Sequence, residues 1–206
     1  AMMIRGMTAR FLLRVTYRVK PGDTIVIHAA AGGVGQIASQ WAKHLGATVI
    51  GTVGSDEKVP LAKKAGCKHV IVGSREKIAE RVRAITKGKG VPVVYDGIGK
   101  DTFMDSLDCL APLGTLASFG NASGAVPPQN LGILASKGSL YVTRPTLATY
   151  IASRADLAKR AGDLFSVVKS GKVKIETTAR YKLADAAQAH RDLEARKTTG
   201  SIILLP

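Results

Sequence analysis

Cysteine is scarce in this chain. Cys67 and Cys109 stand alone among 206 residues, with no C-x-x-C pair and no Cys/His spacing that reads as a metal site. That scarcity excludes a disulfide-stapled scaffold and points to a reducing, cytoplasmic compartment. The two thiols read as small buried hydrophobes, not as a redox pair. Aromatic residues make up only 5% of the chain, too few for the stacked, interleaved platform of a single-strand RNA binder. No apolar run reaches the ~20 residues of a membrane span, and no signal-peptide pattern is visible. Acidic residues are outnumbered 15 to 30 by Lys and Arg, leaving a net charge of +15. Such a surplus draws anions. The basic residues do not form one tail: Arg5, Arg10, Arg14 and Arg18, then Lys58, Lys63 and Lys64, then Arg81, Arg83, Lys87 and Lys89 read as solvated helix faces.

What is present is an alternation of two hydrophobic periods. Ile4, Met7, Phe11, Leu12 and Val15 recur at helical spacing. Pro21-Gly22-Asp23 is a turn, and Thr24 to His28 a short buried strand. Val34, Ile37, Ala38, Trp41, Ala42 and Leu45 form a helical stripe that Gly46 closes. Thr48–Thr52 is the next strand. A helix from about Glu57, which tolerates Pro60 only in its first turn, ends at Gly66. His69–Val72 and Val91–Tyr95 are strands, with the stripe Ile78, Val82, Ile85 between them. A helix spans Thr102–Leu110, and Gly114–Phe119 and Gly138–Val142 are the fifth and sixth strands. Asn121–Lys137 reads as a loop. The texture then changes: a helix carries Leu157, Ala161, Leu164, Phe165 and Val168 to Gly171, another runs Ala184–Ala195, and Ser201–Leu205 is a last strand. Strand and helix in regular alternation predict an α/β fold: a doubly wound parallel six-stranded sheet, order 3-2-1-4-5-6, over residues 1–145, with a C-terminal unit over 146–206.

The strand ending at His28 runs into Ala29-Ala30-Ala31-Gly32-Gly33-Val34-Gly35, which opens a helix. The exact G-x-G-x-x-G pattern fails, because Ala30 stands at the first glycine. Gly32 still permits close approach of a pyrophosphate, and Gly35 close packing of helix on strand. The helix N-terminus offers free N–H groups and a positive dipole end. The tip of the second strand, Thr52-Val53-Gly54-Ser55, lacks the acid that an NAD site uses to hold ribose hydroxyls. Asp56 and Glu57 lie just beyond it, where a helix start favours acids anyway, and Lys58 follows, placed to meet a 2′-phosphate. NADPH is the expected cofactor.

At this point a resemblance becomes specific. Pro21-Gly22-Asp23 through Gly35, Gln40-Trp41-Ala42-Lys43, Gly46-Ala47, Val93-Val94-Tyr95-Asp96-Gly97-Ile98-Gly99, Ser118-Phe119-Gly120-Asn121 and the tail Ala189-His190, Leu193-Glu194-Ala195-Arg196 and Gly200 resemble quinone oxidoreductases of the zeta-crystallin type. These belong to the medium-chain dehydrogenase/reductase superfamily. The resemblance implies an NADPH-dependent, zinc-independent reductase of quinones or enones. Gly32, Gly33 and Val34 would cradle the pyrophosphate. Gly54, Ser55, Lys58 and Arg196 would surround the adenosine ribose and its 2′-phosphate. Thr8 would face the nicotinamide end, Ile98, Phe119, Gly120 and Asn121 would lie along the cofactor, and Thr146 and Leu147 would pass near the ring. It also implies a homodimer paired through an edge strand, residues 139–142, and no bound metal. Gly73 departs from the pattern, since bacterial relatives often carry there a Tyr that adds to the 2′-phosphate site. The family also has an N-terminal catalytic domain that the last helix and strand complete. The tail from about Leu183 is therefore expected to find another place here or fray, and the chain alone to turn over quinones slowly.

His28 and Asp96 end strands at the ligand-binding edge of the sheet, but read respectively as a half-buried structural histidine and a turn cap. No nucleophile with a neighbouring base is evident, so no catalytic side chain is assigned; in hydride transfer the cofactor carries the chemistry. A zinc-dependent alcohol dehydrogenase of the same superfamily and an RNA-binding zeta-crystallin-like protein are the alternatives.

Overall fold

The chain opens with α1 (Met3–Phe11), which passes into a π-helical turn, Leu12–Thr16. A computed structural model describes residues 2–195 and 197–206. The π turn closes with Tyr17 N–H donating to Leu12 O at 3.2 Å. Its extra residue shifts the helical register. Val15, expected on the apolar stripe, is therefore exposed; Ile4, ahead of that turn, is exposed as well, whereas Met7, Phe11 and Leu12 are buried.

Strands and helices then alternate: β1 (Thr24–Ile27), α2 (Gly33–His44), β2 (Thr48–Val53), α3 (Val59–Lys64), β3 (His69–Val72), α4 (Ile78–Ile85), β4 (Val91–Asp96), α5 (Phe103–Cys109) and β5 (Leu110–Ser118). After α6 (Gly132–Ser136) comes β6 (Tyr141–Thr143). The six strands pair in parallel in the order β3-β2-β1-β4-β5-β6, as the alternation predicts. Both faces of the central strands are covered, so β1, β2 and β4 are largely apolar and buried. Ile25, Ile27, Val49, Val93 and Tyr95 face one core, with α1 and α2. Val26, Ile50, Ile71, Val94 and Leu116 face the other, with Ile78, Val82, Phe103 and Leu107.

Two glycines end helices as expected. At Gly46 (φ +87°) and Gly66 (φ +98°) the backbone turns left-handed. Gly46 N–H donates to Lys43 O and Ala47 N–H to Ala42 O; Gly66 and Cys67 repeat the pattern on Lys63 and Ala62. These paired bonds satisfy the last carbonyls of α2 and α3.

Several elements differ from expectation. The third helix starts as a 3-10 turn, Asp56–Lys58, with Pro60 in the first turn of α3. β5 begins at Leu110 and not at Gly114, because the chain bulges between two stretches of pairing with β4. The sixth strand lies at 141–143 and not 139–142, since Ser139 has a positive φ of 55° that no strand accommodates. The expected loop holds α6. Arg10 is not on a solvated face: it is buried, and its Nη2 and Nε meet Asp163 Oδ2 at 2.6 and 2.9 Å.

The C-terminal segment carries α7 (Leu147–Tyr150), α8 (Arg154–Lys169), β7 (Thr177–Lys182), α9 (Ala186–Glu194) and β8 (Ser201–Leu205). α7 seats on α1, where the Phe11 and Tyr150 rings stack 4.3 Å apart. In α8, Leu164 and Val167 are buried, whereas Phe165, expected in the apolar stripe, is exposed. Among its described residues the tail is built into strands and a helix. β7, absent from the sequence reading, pairs in parallel with β8, and Gly200 bridges to Gly32 of the glycine turn.

Candidate functional site at the strand tips

β1 exits at His28, and the chain folds into the turn that starts α2. Ala29 takes up a left-handed φ of 50°, although its Cβ makes that conformation unfavourable. Gly32 N–H donates to Ala29 O at 2.8 Å. A Cβ on Gly35 would stand 2.3 Å from Ala29 O and 2.8 Å from Ala30 Cα. Only glycine lets α2 approach the strand exit this closely. A Cβ on Gly32 would lie a tight 3.1 Å from Ala29 O. Gly32 N-caps α2 with no side-chain bond, and the first turn holds no acid. Gly32, Gly33 and Val34 thus open α2 with no side-chain cap, while Gly32 N–H is taken by Ala29 O and the turn is bridged to Gly200.

Several of the remaining candidates follow strands at the same edge. Gly54 and Ser55 follow β2, with Gly54 facing open space, and Lys58 ends the next turn. Asp56 is drawn aside by Arg75, which pairs with it at 2.6 Å. Gly73 follows β3 and donates to Val53 O. Ile98 follows β4, and Phe119, Gly120 and Asn121 follow β5. The last two loops press together: a Cβ on Gly120 would stand 2.4 Å from Gly97 O, and one on Gly99 2.7 Å from Gly124 O. Thr146 N-caps α7 and Leu147 opens it. Thr8 lies half-buried in α1, the helix on which α7 packs. Arg196 lies outside the described residues.

Beneath these loops runs a buried polar chain that sequence reasoning did not assemble. Asp96 is fully buried. Its carboxylate accepts from Ile98 N–H at 2.7 Å, Gly99 N–H at 3.1 Å, Thr102 Oγ1 at 2.8 Å and Ser106 Oγ at 2.9 Å. Since Ser106 donates to Asp96, its oxygen is left to accept from His28 Nε2 at 3.0 Å, and Thr52 Oγ1 then donates to Nδ1 at 2.9 Å. This order sets the neutral Nε2–H tautomer. Burial lowers the pKa of His28, outweighing the opposite pull of Asp96. His28, expected to be half-buried, is fully buried, and with Asp96 it ties the exits of β1, β2 and β4. Arg144 does the same for β5, with Nη1 donating to the carbonyls of Ser118 at 2.8 Å and Gly120 at 3.1 Å. The links from His28 to Thr52 and Ser106 and from Arg144 to Ser118 were missed because they span 24 to 78 positions. The one local signal was the Asp before a glycine-rich turn.

A parallel sheet of this order, with a glycine turn on its first strand and loops gathered at its C-terminal edge, is the architecture of a dinucleotide-binding α/β domain. The family model for zinc-binding dehydrogenases matches residues 33–166, and the chain belongs to that family. It is similar to the quinone oxidoreductase of Pseudomonas aeruginosa, with 54% identity over 100% of this chain and 63% of that protein. It is 50% identical to the 2-haloacrylate reductase of a Burkholderia species, over 100% of this chain and 62% of that one. Among solved structures it matches Escherichia coli quinone oxidoreductase complexed with NADPH, with a TM-score of 0.96 and 52% identity over 98% of this chain and 63% of that one. The chain thus spans somewhat less than two thirds of these relatives. Among the described residues, no three His, Cys, Asp or Glu side chains cluster as a metal site, and no helix is long and apolar enough to cross a membrane.

Proposed function

We propose that this chain is the cofactor-binding part of a zinc-independent, NADPH-dependent quinone reductase acting in the cytoplasm. Residues 1–145 form the dinucleotide unit, and residues 146–206 belong to the catalytic domain. The observation that carries this reading is the uncapped start of α2 at Gly32–Gly33–Val34, set at the C-terminal edge of the sheet, in a chain similar to quinone oxidoreductases along its whole length. The residues fit the group. Backbone N–H groups at a helix N-terminus suit a pyrophosphate. Gly54 leaves room beside Ser55 and Lys58 for a phosphorylated ribose, and Asp56 is already paired with Arg75.

When bound, NADPH would supply a hydride to the acceptor. This chain's part is to bind and orient. Gly32, Gly33 and Val34 hold the pyrophosphate, and Lys58 and Arg196 the 2′-phosphate. Thr8, Ile98, Phe119, Gly120, Asn121, Thr146 and Leu147 line the way to the nicotinamide. Asp96 and Arg144 keep those loops in place. Calorimetry with NADPH and NADH tests the cofactor reading, and equal affinities would overturn the preference. NADPH oxidation with a small quinone, by this chain and by the longer protein, tests the reaction. Metal analysis of the longer protein tests zinc independence.

A second acceptor is favoured by one observation: the 50% identity to a 2-haloacrylate reductase. An electron-poor alkene would take the same hydride, and competing a haloacrylate against a quinone separates the two. A homodimer is proposed through β6, the edge strand, where Tyr141 and Val142 are exposed. That edge has no Pro or Lys to discourage pairing. A monomeric mass at micromolar concentration would exclude it.

A further inference from the structure

The side chain of Arg5 lies against the glycine turn. A Cβ on Gly33 would stand 2.7 Å from both Cδ and Nε of Arg5 and 3.0 Å from its Cζ. The guanidinium stem therefore rests where only a glycine leaves space. Among the described residues, Nη1 of Arg5 is buried with no hydrogen-bond partner. Buried donors without partners are few in native proteins, and a charged one is the costliest kind. The setting is unfavourable for a second reason. Gly33 is the first residue of α2, so the guanidinium sits at the positive end of that helix dipole, where a cation is repelled. No acidic side chain occupies the first turn of α2 to offset it. One class of ligand resolves both faults at once: an anion held at the start of α2, which meets the helix dipole and the unpaired N–H together.

We propose that Arg5 is a ligand of the cofactor's pyrophosphate, reaching from α1 across Gly33 to close over the phosphates held by the turn. This rests on the dinucleotide reading above and adds to it a charged residue that the glycine motif does not contain. It also gives Gly33 a second role: besides letting a phosphate approach, it leaves a channel for the arginine. Arg5 would contact the bridging phosphates and not the 2′-phosphate. It would therefore strengthen NADPH and NADH alike and leave the choice between them to Lys58.

The test is titration calorimetry on the longer protein with NADPH, NADH and adenosine 2′-monophosphate, which lacks the pyrophosphate. The variants are Arg5→Met and Arg5→Gln, with Arg5→Lys as the charge-preserving control. Loss of a charged hydrogen bond corresponds to a roughly ten- to hundred-fold weaker affinity. The proposal expects that loss for NADPH and NADH equally in Arg5→Met and Arg5→Gln, partial recovery in Arg5→Lys, and unchanged binding of adenosine 2′-monophosphate. Dinucleotide affinity unchanged in both neutral variants would overturn it. So would an equal loss for adenosine 2′-monophosphate, which would mark a collapsed turn and not a lost phosphate contact. Failure of the unaltered protein to bind any dinucleotide would instead sink the underlying cofactor reading.

Discussion

Gly200 N–H donates to the carbonyl of Ala31 at 3.1 Å, joining the C-terminal tail to the glycine turn across 169 positions. Gln36 Nε2 donates to the same oxygen at 2.7 Å. Gly200 is left-handed, with φ of 61°, and a Cβ there would stand 2.7 Å from Thr178 Cγ2. Gly200→Ala is therefore expected to cost about 1–2 kcal/mol in backbone strain. Amide exchange should quicken across Ser201–Leu205, and NADPH affinity should fall as the turn loses its brace. Exchange and affinity both unchanged would show the contact to be idle.

The glycines of the turn separate fold from binding. Gly35→Ala would drive its Cβ into the Ala29 carbonyl, which is backbone and unable to swing away. A loss of about 3 kcal/mol is expected, at the upper end for overpacking, seen as a lower urea midpoint. At Gly33 the three atoms nearest an added Cβ all belong to the flexible Arg5 side chain, and a bulkier residue would enter the space proposed for phosphate. That variant should fold and bind dinucleotide poorly. A Gly35→Ala protein as stable as the parent would contradict the geometry.

Lys58→Ala should narrow the gap between NADPH and NADH by about 1.5–3 kcal/mol, the worth of a charged hydrogen bond to phosphate. Calorimetry reads this directly. An equal loss for both cofactors would move Lys58 away from the 2′-phosphate.

His28 makes stability pH-dependent. Burial holds its folded pKa below the ordinary value of 6.5, so below that value the unfolded chain binds a proton that the folded chain refuses. Stability should fall as pH drops from 6.5 toward the folded pKa, by at most about 1.4 kcal/mol per pH unit. His28→Gln should flatten that slope. Urea titrations at pH 7.5 and 5.5 on both proteins check it, and parallel slopes would argue against the histidine.

α1 lies against α8 because residue 6 is glycine: a Cβ there would stand 2.5 Å from Leu164 Cδ1. Gly6→Ala should destabilise by about 1–3 kcal/mol through overpacking. Asp163→Asn, which removes the charge facing buried Arg10, should also destabilise. Thermal melts measure both, and a raised Tm in either would refute the packing argument.

The sheet and its order were legible in the chain because they rest on local signals. Apolar runs such as Thr24–Ile27, stripes such as Val34 to Leu45, and glycines at 46 and 66 each act within a few residues, and parallel pairing follows from their alternation. The glycine turn was legible for the same reason, even without the usual first glycine. What escaped was what only contact creates. β7 is a strand because β8 lies beside it, α7 is a single turn held by the stacking of Tyr150 on Phe11, and Val15 is exposed because a π turn rotates it away. Asp96, Ser106, His28 and Thr52 form one hydrogen-bonded line only where three strand exits converge. Arg5, one of many arginines on a basic chain, owes its unpaired buried nitrogen to the packing of α1 over Gly33. Periodicity and turn chemistry determine which elements form. Which side chains meet across elements distant in sequence is decided by packing, where burial turns each polar group into one that needs a partner.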